Sequence, residues 1–67
     1  MDELLKGIEQ AIKDEQQAQK HYQELANKAK DPKVKGMFEQ MKKDEEEHER
    51  ILRSRYESLS RLNKKNR

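Results

Sequence analysis

Glu15, Glu45 and His48 are the side chains in this sequence whose types and placement suit them to chemistry. Glu45 and His48 form a Glu-x-x-His pair. The i, i+3 spacing puts both on one face of a helix, where a carboxylate can bridge two cations while an imidazole caps one. Each of the three interrupts an otherwise apolar stripe. A buried carboxylate without a partner costs several kcal/mol or takes up a proton, and a bound cation removes that cost. Singly, each has an ordinary reading: a lone Glu on a stripe is usually a rim residue reaching water, and a lone core His is usually satisfied by one hydrogen bond. The coincidence of three points instead to a metal site.

The elements that must position them are two helices. The stretch "KAKDPKVK", residues 28–35, divides the chain: Asp31 is a good N-cap and Pro32 suits the first helical position. The expectation is a single all-α domain over residues 1–67, an antiparallel two-helix hairpin. Helix one covers about residues 3–30, helix two about 32–62, and a basic tail follows at 63–67. Alternating three- and four-residue steps run through Leu5, Ile8, Ile12, Glu15, Gln19, Tyr22 and Ala26 in helix one. In helix two they run through Val34, Phe38, Met41, Glu45, His48, Leu52, Arg55, Leu59 and Leu62. Residues at equal height in a hairpin average to the turn position. Glu15 averages to 30 with Glu45 and to 31.5 with His48, so the three should meet at one level.

Composition says what must surround that level. Of 67 residues, 30% are hydrophobic and 45% charged. Ordering such a chain costs on the order of 100 kcal/mol at roughly 1.5 kcal/mol per residue, which one thin stripe cannot repay. A homo-oligomer, minimally a dimer, is therefore expected. A two-fold partner doubles the set to four carboxylates and two imidazoles, the inventory of a dinuclear carboxylate site, and two divalent cations balance the four charges. There is no cysteine, hence no disulfide, zinc knuckle or Cys-ligated iron. Neither a signal peptide nor an apolar run of membrane length is present, which makes the cytoplasm the default location and a membrane partner unexpected.

Charge is unevenly placed. Residues 1–49 carry nine basic and thirteen acidic side chains, and residues 50–67 carry seven and one. A basic end can attract nucleic acid or an acidic protein, but Lys and Arg at the negative pole of a helix dipole are the simpler account. A competing function class is nonetheless a self-associating adaptor whose basic end binds nucleic acid or protein, the buried Glu and His only setting register.

The stretches "EQQAQKHY" (Glu15, Ala18, Tyr22), "MFEQM" and "EEEHERIL" (Glu45, His48, Leu52) resemble the rubrerythrin branch of the ferritin-like superfamily. That motif is E-x-x-A-x-x-x-Y followed about thirty residues later by E-x-x-H, and the match spans roughly residues 8–59. The resemblance implies that two such hairpins form a ferritin-like four-helix bundle around a diiron centre, this chain being half of the usual domain. It implies Glu15 as a terminal or bridging carboxylate, Glu45 as a bridging carboxylate, His48 as the nitrogen ligand and Tyr22 as a hydrogen-bond donor to a ligand carboxylate. The expected cofactor is iron, two ions per dimer, with manganese and zinc as alternative occupants. The expected chemistry is Fe(II) oxidation by dioxygen or hydrogen peroxide, in iron handling or oxidant defence.

The half size is also similar to encapsulated ferritin-like proteins, helical hairpins whose iron site forms only between subunits. That likeness adds higher rings and the inside of a protein compartment to the expectations. Without a Cys-ligated iron module, reductive turnover needs an external electron donor. Ala18 stands where rubrerythrins carry an extra Glu ligand, which weakens the peroxide-reducing version. Among the remaining polar groups, Asp44 can orient His48 as an acceptor, although a solvent-facing position is the simpler reading. His21 is expected to be exposed, and Glu46, Glu47 and Glu49 to form a solvated face that draws cations. Met37 and Met41 are expected to pack.

Overall fold

A computed structural model describes residues 2–65, with side chains described for residues 3–62. Both described elements are helices: α1 spans Asp2–Lys28 and α2 spans Pro32–Lys65, packed against each other. The hairpin measures 55 × 14 × 10 Å. Leu, Ala, Glu, Gln, Lys and Arg, the strong helix formers, supply most of both segments. No described helix is long and apolar enough to cross a membrane.

The turn forms as its residues dictate. Asp31 Oδ1 accepts from the backbone N–H of Lys33 at 2.7 Å and of Val34 at 3.3 Å, satisfying two of the donors that open α2. Replacing such a cap by Ala costs about 1 kcal/mol. α1 ends at Lys28, two residues short of the expected boundary. A residue before proline avoids the α region and an N-cap must be non-helical, so the chain leaves the helix before Asp31. The Ala29 N–H still donates to the Leu25 carbonyl at 3.0 Å. At the other end α2 runs past Leu62, so the expected basic tail begins as helix: residues 63–65 continue it, while 66–67 lie outside the described residues. Lys and Arg propagate a helix well and favour its C-terminal pole.

The seam between the helices is thin. Among the described residues only Ile12 and Ala26 are buried apolar side chains, with Phe38 stacked on Tyr22 near the turn at 6.4 Å between ring centres. Between Ile12 and Ala26 the seam carries Glu15 and Gln19.

The two flanks of the seam differ in kind. On one, side chains bond across the helices. The Tyr56 hydroxyl donates to Glu9 at 2.6 Å, Gln16 to Glu49 at 3.2 Å, and Lys42 to Gln23 at 2.7 Å. On the other, Leu4 (61%), Val34, Met37, Ile51 and Leu62 are exposed. At 100° per residue the four on α2 lie within about 60° of His48, and Leu4 lies about 20° from Glu15 on α1. The hairpin exposes 5556 Å², against about 4,500 Å² expected of a folded monomer of its 8.1 kDa mass. The excess follows from the elongated shape, which leaves most of both helices open to solvent.

Candidate metal centre

Glu15 is the central residue of α1, and α2 brings Glu45 and His48 to its level. One donor atom from each of the three lies within 4.8 Å of the others, and among the described residues no other His and carboxylate trio converges in this way. His48 Nδ1 is 3.5 Å from Glu15 Oε2 and 3.6 Å from Glu45 Oε1. Those separations are long for hydrogen bonds. Glu15 Oε2 is accordingly a buried acceptor without a hydrogen-bond partner. The Glu15 and Glu45 side chains are 22% and 21% exposed, whereas His48, at 55%, stands on the rim facing the apolar flank.

The electrostatics follow from that crowding. The Glu45 carboxyl is held above its ordinary range, first by a hydrogen bond shared with Glu15, then by burial and by repulsion from the Glu15 charge, with His48 opposing. Facing Glu15 across a partly desolvated seam thus favours the neutral form of Glu45 over its charged form. Ligand atoms bound to one ion at roughly 2.0–2.2 Å lie up to about 4.2 Å apart, so closing this trio by about half an ångström satisfies a common ion. Two oxygens and an imidazole nitrogen suit iron, manganese or zinc. The residues present therefore fit a metal, and the orphaned Glu15 oxygen is the atom that most needs one.

Beside Glu45 and His48, a recess of about 270 Å³ is lined by these two with Tyr22, Met41, Asp44 and Glu47. Tyr22 sits in its wall, but among the described residues its hydroxyl makes no side-chain hydrogen bond; its ring stacks on Phe38 instead. The tyrosine that does bond a carboxylate is Tyr56, whose phenol is pushed up by its bond to Glu9 and by burial. Asp44, expected as a candidate to orient His48, accepts instead from Gln40 at 3.0 Å on the exposed face. His21 and Glu46 are exposed and Met41 is half-buried, while Met37 is half exposed rather than packed.

Glu49 departs from its expected place on a solvated face. Its side chain is 18% exposed and accepts from Gln19 at 2.7 Å, Arg53 at 2.8 Å and Gln16 at 3.2 Å. These donors, Gln19 foremost, hold its carboxyl below the usual range. Glu47 bonds Arg50, which lowers it likewise. The signal for Glu49 was available in the height rule: Gln16 with Glu49 averages to 32.5, at the turn. Gln19, a polar residue on the stripe, was a second trace of it.

A family model described as Rubrerythrin matches residues 6–66. No curated protein and no solved structure gives a match.

Proposed function

The chain belongs to the rubrerythrin family, and on that premise we propose that two copies hold a pair of iron ions between Glu15, Glu45 and His48 of each and oxidise Fe(II) with dioxygen or hydrogen peroxide. The observation that carries this reading is the convergence of three ligand atoms within 4.8 Å around a buried carboxylate oxygen with no partner. The family typically binds iron. When bound, a pair of iron ions supplies one-electron steps at each ion and so shares the electron demand of the oxidant.

The chain's own residues do the rest. Glu15 and Glu45, on different helices, would hold the ions through carboxylate oxygens, four per chain. His48 is fixed to the same face as Glu45 by one helical turn and adds the neutral nitrogen donor. Asp44 at the recess, bonded to the neutral Gln40 side chain, adds negative potential that attracts divalent cations. The second copy covers the apolar flank on which His48 is exposed, completing a four-helix bundle and excluding water from the trio. Fe(II) itself supplies the electrons for its oxidation, and only re-reduction of the oxidised ions would draw on an external electron donor, since these 67 residues include no cysteine to bind a redox iron.

Anaerobic Fe(II) titration should saturate at one iron per chain, two per dimer. Binding below a tenth of an equivalent would sink the metal reading and favour the self-associating adaptor. Assembly has its own test. Covering Leu4, Val34, Met37, Ile51 and Leu62 links folding to association, so the thermal midpoint should climb as protein concentration is raised from low micromolar to millimolar. A fully helical monomer by sedimentation at low micromolar concentration, with a midpoint independent of concentration, contradicts the dimer.

A further inference from the structure

The cross-helix bonds on the polar flank share one spacing. On α1 they fall at Glu9, Gln16 and Gln23, and on α2 at Tyr56, Glu49 and Lys42, seven residues apart on both helices. Each pair averages to 32.5, so the three rungs specify one register. A heptad-spaced ladder keeps to one side of two packed helices, as the seam of a coiled coil does.

The middle rung is doubled, and the site hangs on it. Gln19, one helical turn from Glu15, donates to Glu49 at 2.7 Å, and its Nε2 also lies 3.5 Å from the Glu45 carbonyl oxygen. Glu49 is one residue from His48 and one turn from Glu45. Apolar packing sets little here, because no apolar side chain is buried between the levels of Ile12 and Ala26. A one-residue slip of α2 turns its side chains by about 100° and shifts them by about 1.5 Å, enough to carry Glu45 and His48 away from Glu15.

We propose that Gln19 is a positioning residue for the metal site: by donating to Glu49 it fixes the rotation and register of α2 that bring Glu45 and His48 to Glu15. The proposal rests on the metal-binding reading for its ligand but not for its geometry. Gln19 is neutral, so its removal alters no charge near the site, and Glu49 keeps Gln16 and Arg53 as donors.

The test compares Gln19→Met, which preserves length and helix propensity while removing the donor, with Tyr56→Phe, which breaks an outer rung. Co(II) affinity of the full chain and amide chemical shifts of the metal-free protein are both measured, well below the thermal midpoints. Gln19→Met should weaken Co(II) binding about tenfold, the usual effect of losing a group that orients ligands. Its shift changes should concentrate at Glu15, Glu45 and His48. Tyr56→Phe should bind Co(II) within about threefold of wild type, with the site's shifts unmoved, even where its midpoint falls as far. Equal affinity and unmoved site shifts in Gln19→Met would overturn the proposal. Should wild type itself take up no Co(II), the metal reading fails, and the shifts alone still decide whether Gln19 sets the register.

Discussion

His48→Ala should lose tight Fe(II) binding and slow Fe(II) oxidation at least about tenfold, while the far-ultraviolet circular dichroism of the protein stays unchanged. His48 is the only nitrogen donor of the trio, and its loss leaves two carboxylates that repel each other without the ligand that directs a transition metal over calcium or magnesium. The substitution is mild for the fold. The His48 side chain is 55% exposed, so its truncation opens no cavity, and neither of its carboxylate neighbours is within hydrogen-bond range. Alanine also propagates a helix better than histidine by up to about 0.7 kcal/mol. Retained helix with lost binding therefore assigns the effect to ligation. Glu45→Ala should lose binding in the same way. Stopped-flow oxidation under excess oxidant, beside an anaerobic titration, separates the outcomes: wild-type rates and one bound iron per chain in both variants would exclude these residues as ligands.

How much of this was legible in the sequence depends on which forces set each feature. The helix pairing was readable because Asp31 and Pro32 act locally: a cap and a fixed φ need no tertiary information. The level shared by Glu15, Glu45 and His48 was readable because an antiparallel hairpin converts sequence distance into height. Rotation about the helix axis was less readable. A stripe drawn in three- and four-residue steps treats the seam as apolar, but this seam is closed on one side by Gln16, Gln19, Gln23, Lys42 and Glu49. Their hydrogen bonds depend on rotamers of long side chains, which no periodicity records. Hence Glu49 passed for a solvated residue, and Arg55, drawn on the stripe, is exposed. Asp44 went to Gln40 because an i, i+4 partner on its own helix is nearer than a histidine around the cylinder. The role of the Tyr22 hydroxyl comes from a resemblance to four-helix domains, whereas the described hairpin has two helices, and there the Tyr22 ring stacks on Phe38.

Glu45→Gln should make the metal-free protein more stable than wild type at pH 7, yet less stable once Fe(II) is present, so that the order of thermal midpoints reverses. The folded state holds the Glu45 carboxyl above its ordinary value of 4.5, chiefly through the hydrogen bond shared with Glu15, then burial and repulsion. The folded chain thus binds that proton more tightly than the unfolded chain. In the window just above 4.5, the group makes stability fall as pH rises and recover as pH falls through the raised value. Glutamine stays neutral throughout, so the advantage of Glu45→Gln should be largest at pH 7 and vanish toward pH 4.5. Glu47 and Glu49 shift the other way and act below 4.5, equally in both proteins. A cation would invert the comparison: it would offset the repulsion on Glu45 that a proton otherwise offsets, and ligand binding to the folded state alone contributes about 2.7 kcal/mol at a hundred times the dissociation constant. Only wild type can collect that stabilisation, and less of it as pH falls, because protons compete for the same oxygens. Thermal midpoints of both proteins at pH 5 and pH 7, with chelator and with anaerobic Fe(II), give the full set. Parallel pH slopes without metal would show that Glu45 carries no repulsion from Glu15, and the absence of any reversal on adding Fe(II) would remove the cation from between them.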